Sequence, residues 1–190
     1  MRTLDEFNDI CRNGNAFEVN EYYYGRPADL PFGKINWRDE RGLTPIMWAA
    51  MMNRNFTVIG ALAKMGADLR MLEPWTHHNL ITLAALNNEN HQVVSAVLGA
   101  MTETKDTIDM IEDALRECSV VLQNSHGKWN RHIDHVRGIL VAKRDFISNV
   151  IRLPRGIAPG HRPMHGKGSI QDRNRKNQVQ TNQQAERKIS

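Results

Sequence analysis

The segment from Asp39 to Asp68 constrains this chain more than any other. It reads D-E-R-G-L-T-P-I-M-W-A-A and, after a polar break, V-I-G-A-L-A-K-M-G-A-D. Gly42 supplies the positive backbone dihedral that a tight turn needs. Thr44 stands where a helix begins, placed to accept a hydrogen bond from a first-turn amide. Pro45 follows at the first helical position, where its missing N–H is no loss. Ala49 and Ala50 are small enough for neighbouring helices to approach closely. Asn53–Asn55 interrupts the pattern, a second apolar helix follows, and Gly66 sits where helices commonly end on a glycine. The segment predicts a turn, a short helix, a polar break and a second helix.

The same spacing resembles one ankyrin repeat, whose family pattern is roughly D-x-x-G-x-T-P-L-H-x-A-A and then V-V-x-x-L-L-x-x-G-A-D. Gly42, Thr44, Pro45, Ala49, Ala50, Val58, Leu62, Gly66, Ala67 and Asp68 match it. Ile46 and Met47 replace the Leu and His of the T-P-L-H-x-A signature. A shift of 35 residues maps Ala49-Ala50 onto Ala84-Ala85, Asn53 onto Asn88, Asn55 onto Asn90 and Val58-Ile59 onto Val93-Val94. That period is close to the roughly 33 residues of such units. Both copies carry N-x-N in the inter-helix turn, a shared departure that argues for duplication more strongly than shared alanines do. In the second copy Pro74, His77, Asn79 and Leu80 replace Asp, Gly, Thr and Pro. Its helices are therefore expected, while the form of its tip is left open.

The resemblance implies an all-α fold, a short ankyrin-type solenoid of stacked antiparallel helix pairs over residues 1–151. Residues 1–35 read as an N-terminal cap and loop. Within it, C-R-N-G-N at Cys11–Asn15 is the inter-helix turn, and Gly25 to Gly33 is an inserted loop. Residues 36–70 are the clear repeat and 71–102 the degenerate one. Lys34-Ile35-Asn36 resembles the start of the joining hairpin. Asp106 to Gln123 and Trp129 to Ile151, within 103–151, are amphipathic helical patterns that suit a terminal cap, which must turn a polar face outward.

Charge is unevenly spread. Residues 152–190 carry nine Lys/Arg against two Asp/Glu, a net of +7, so a whole-chain charge of +4 leaves −3 for the rest. This tail has no aromatic residue and too little apolar surface to offset its ordering entropy, so disorder is expected. Its basic residues fit salt-sensitive contact with phosphates or an acidic surface, and the plain alternative is a solvating tail. Two distant cysteines, Cys11 and Cys118, form no disulfide framework. No secretory leader or run long enough to span a membrane is present, so a soluble, cytoplasmic protein is the expectation.

Candidate chemistry is sparse. His132 and His135 share a helical face with His126 nearby, but no zinc-ligand spacing accompanies them, and solvent-facing histidines are the default. His77 and His78 fall at a turn, and Glu112, Asp113 and Glu117 read as a solvated helix face. No phosphate-binding loop or nucleophile motif occurs, and neither a metal, a cofactor nor an enzymatic activity is expected.

What the family resemblance implies instead is recognition of a partner protein through turn tips and the concave ends of the first helices. Carried over by position, the contact residues are Arg38, Glu40, Arg41, Leu43, Met51 and Met52 in the clear repeat. In the degenerate repeat they are Glu73, Trp75, Thr76, His78, Leu86 and Asn87. Trp75 leads, because an aromatic anchor at an exposed tip carries more binding energy than most residues. A nucleic-acid-associated adaptor using the basic tail, or a structural assembly component, are the alternatives.

Overall fold

A computed structural model describes residues 3–25, 34–124 and 128–152, all within the compact unit Met1–Leu153. The inserted loop expected over Gly25 to Gly33, beyond its first residue, and the tail after Arg152 lie outside the described residues. Those described form eight α-helices and no strand. The helices are α1 Leu4–Asn13, α2 Ala16–Tyr24, α3 Pro45–Met52, α4 Thr57–Lys64, α5 Leu80–Asn87, α6 His91–Ala100, α7 Lys105–Asn124 and α8 Lys128–Arg152.

Consecutive helices form four pairs, and the pairs pack in two rows. In the first row α1 packs on α3, α3 on α5 and α5 on α7; in the second α2 packs on α4, α4 on α6 and α6 on α8. This is a helical-repeat arrangement, in which each unit buries its apolar face against the next. The core runs unbroken along it, from Phe7 and Cys11 through Ala49, Ala50, Leu62, Ala84, Ala85 and Val94 to Ile111, Cys118, Val136 and Leu140. No described helix is long and apolar enough to cross a membrane.

Local chemistry sets the helix ends. Thr3 and Asn15 each close a capping box, with Glu6 and Glu18 respectively, and so start α1 and α2. α1 runs through Cys11–Asn13, so the first inter-helix turn is only Gly14-Asn15, shorter than its sequence suggests. α4 ends as expected: Gly66 has φ of 90°, its amide donates to Ala63, and Ala67 donates to Leu62. Thr44 occupies its helix-start position with extended dihedrals, but its buried hydroxyl makes no hydrogen bond. Pro45 already sets the first-turn backbone there and removes one donor needing a cap. The equivalent Asn79 does cap, accepting from the Thr82 amide at 3.0 Å. Lys34–Asn36 is a single 3-10 turn that leads into the hydrogen-bonded turn at Asp39–Leu43.

The N-x-N turns explain their own recurrence. Asn53 Nδ2 donates to the carbonyls of Cys11 and Gly14 in the preceding unit, both at 2.9 Å. Asn88 repeats this one unit on, donating to Ala50 at 3.0 Å and Asn53 at 2.8 Å. Each Oδ1 accepts from the amide two residues ahead, Asn55 at 2.7 Å and Asn90 at 2.9 Å. A side chain with both a donor group and an acceptor is required for this, and asparagine has the reach. The carbonyls satisfied are those a helix end leaves unpaired.

Candidate functional site

The backbones of the two turn tips are held by their own hydrogen bonds. In the first, the Asp39 amide donates to Leu43 at 3.0 Å and Gly42, with φ of 75°, donates back to Asp39 at 2.8 Å. Asp39 Oδ1 accepts from the Arg41 and Leu43 amides at 3.0 and 2.9 Å. Its Oδ2 accepts from the Trp48 indole at 2.6 Å, which ties the tip to α3.

The second tip reproduces this with different residues and one residue more. The Glu73 amide donates to His78 at 3.0 Å, closing a six-residue turn where Asp39–Leu43 closes five. Glu73 Oε1 accepts from the Trp75 amide at 2.9 Å, and Oε2 from the Thr76 amide and hydroxyl at 2.7 and 2.5 Å. His77 takes the left-handed place of Gly42, with φ of 57°. Burial alone pushes the Glu73 carboxyl up. The hydrogen bonds from Thr76 and Trp75, with His78 nearby, outweigh it and hold the carboxyl below its ordinary value. The turn therefore keeps its acceptor through the neutral range and weakens only as acid protonates that carboxylate.

Side chains lace the two tips together. Arg38 donates to the Gly42 carbonyl and, at 2.9 Å, to the Leu72 carbonyl. Asn36 donates to Gly66 at 3.2 Å and accepts from the Asp68 amide at 2.6 Å. Trp75 donates its indole N–H to the Arg41 carbonyl at 3.2 Å. Behind the first tip, the Arg12 and Arg41 guanidinium carbons lie 3.7 and 5.6 Å from the Trp48 ring centre.

This geometry sorts the residues singled out from sequence. Trp75 is 77% exposed although its N–H is engaged, so an apolar face stands rigidly in solvent. Glu40, Arg41 and Thr76 are exposed around it. Met52, 56% exposed, and Asn87 stand open on the first-row helices, with Met51 and Leu86 half-buried beside the core. Leu43 and Glu73 are corrections, at 6% and 7% exposure. Leu43 turns inward because the tip's closing bond aims its side chain at the core, and Glu73 is consumed by its own turn. Arg38 spends its guanidinium on two backbone carbonyls, and half-buried His78 lies 3.9 Å from Glu117 on α7. Sequence reasoning missed Leu72, which is 45% exposed just before the second tip; its flanking turn residues were the available signal.

Elsewhere the chemistry is quiet. Among the described residues no group of three His, Cys, Asp or Glu is arranged to hold a metal ion. Glu112 and Asp113 are exposed and paired with Arg144 and Arg116 at 3.2 and 3.1 Å. Burial pushes the Cys118 thiol up to about 11 and drives Cys11 higher still, so neither is a nucleophile at neutral pH. No family model, curated protein or solved structure matches the chain.

Proposed function

We propose that this chain is an ankyrin-type repeat protein that holds a partner protein against its turn tips and the open ends of its first-row helices. Support comes from the 35-residue self-similarity, the two-row packing and the two tips that share a left-handed residue. The observation that carries the binding reading is Trp75, a 77% exposed indole on a turn fastened at both ends. An aromatic group already ordered before binding loses little entropy on contact, and tryptophan leads among interface anchors.

The test is quantitative capture of the partner recovered with the intact chain, repeated with Trp75→Ala and Met52→Ala. Trp75→Ala is expected to weaken binding by about 2 kcal/mol, roughly 30-fold. Its stability should change by less than about 1 kcal/mol, because only one exposed hydrogen bond is lost. Partner affinity unchanged in both variants would defeat the reading.

A further inference from the structure

The joint between the third and fourth helix pairs keeps one carboxamide bond, Asn79 Nδ2 donating to Met110 on α7 at 3.0 Å, and adds histidines that the two joints before it lack. At the earlier joints an asparagine side chain reaches back, Asn53 to Cys11 and Gly14, Asn88 to Ala50 and Asn53. At the last joint the His132 ring on α8 lies against the Asn88 backbone, whose carbonyl favours a proton on the ring. A carboxamide does not titrate, whereas an imidazole does so near neutrality. His132 also has company. His91, the first residue of α6, meets His135 on the next turn of α8 edge-to-face, with ring centres 4.4 Å apart.

The charges facing this cluster do little to neutralise a proton there. Glu89, in the turn before α6, attracts one toward His132, but it is already paired with Arg54 from the preceding turn. On α8 itself, Arg131 and Arg137 bring positive charge, and Asp134 is paired with Arg137 at 3.6 Å. On α7, Glu117 lies 3.9 Å from His78, in the turn before α5, while Cys118 has Arg137 and Glu117 near it; α5 itself has no ionisable residue.

We propose that this joint is a pH-sensitive seam: protonation of His132 beside His91 and His135 weakens the seat of α8 on α6. The terminal pair α7–α8 then opens in mild acid before the rest of the stack. Burial first, then the neighbouring His91, pushes His132 below its ordinary value, with the Asn88 carbonyl and Glu89 opposing. The sign follows. The opened state titrates near the ordinary value of about 6.5 and binds more protons in that region than the closed state. The stabilisation is therefore complete above that value and is lost as pH falls through it. In a stacked array an end unit opens at lower free energy than the whole, so the loss appears there first.

Hydrogen exchange on the full chain at pH about 7.5 and about 5.5, corrected for intrinsic rates, tests this. One differential proton changes an equilibrium by at most about tenfold per pH unit. Protection in α7 and α8 should fall about three- to tenfold more than in α3 and α4. In His132→Gln that excess should vanish. An equal fall in all four helices, or an unchanged excess in the variant, would overturn the proposal. If the variant does not fold, NMR titration of the histidine ring protons in the unaltered chain decides. A His132 midpoint below the ordinary histidine value supports the seam, and one at or above it overturns it.

Discussion

Replacing Asn88 by alanine strikes the stack at one of its joints. The side chain is buried, and three hydrogen bonds converge on it: two donated to the Ala50 and Asn53 carbonyls, one accepted from the Asn90 amide. Each contributes about 1 kcal/mol net, so a total loss of about 3 kcal/mol follows. For a domain of this size that is a fall in Tm of roughly 6–12 °C. Asn88→Asp sharpens the test. It keeps shape and volume yet places an acceptor-only oxygen opposite two carbonyls, so it should destabilise at least as much as alanine. Urea unfolding of the three proteins, compared at their midpoints, measures both effects. An alanine variant within about 1 kcal/mol of the parent, or an aspartate variant clearly more stable than alanine, would refute the joint as described.

Glycine substitutions should divide by backbone. Gly42→Ala is expected to cost about 1–3 kcal/mol, since φ is 75° and an added Cβ would lie 2.6 Å from the Pro74 ring. Gly60→Ala, in mid-helix with open space where the Cβ would stand, should instead stabilise by about 0.5–1 kcal/mol in the same unfolding assay. The two thiols are buried and raised in pKa, so the folded chain should react with a disulfide reagent at neutral pH only after denaturant is added. Rapid labelling of either without denaturant would show that its helix is not packed as described.

Most of the element order was legible because helix signals act over short range. Pro45, Gly66 and the N-x-N turns mark ends within a few residues, and α7 and α8 fall within a residue or two of their apolar periodicity. The second tip was not legible. Nothing in E-P-W-T-H-H announces that Glu73 will do the work of Asp39, or that His77 will adopt the backbone of Gly42. Those substitutions are equivalent only once the flanking helices fix where the turn must begin and close. The candidate contact residues divide for the same reason. Position in the repeat identified Trp75 and Met52 as exposed, but it could not tell that Leu43 faces the core or that Arg38 braces the neighbouring tip.

What the amino-acid sequence determined by itself is therefore the succession of short helices and the positions of their breaks. Capping, proline placement and apolar spacing involve neighbours within one or two turns. Only the tertiary structure decided which polar side chains join one unit to the next. Asn88 finds Asn53 across 35 residues, Trp75 finds Arg41 across 34, and His91 meets His135 from another helix pair. Such bonds depend on the rise and rotation from one pair to the next, which the packing of small residues such as Ala49, Ala50, Ala84 and Ala85 sets. No local spacing along the chain encodes that geometry.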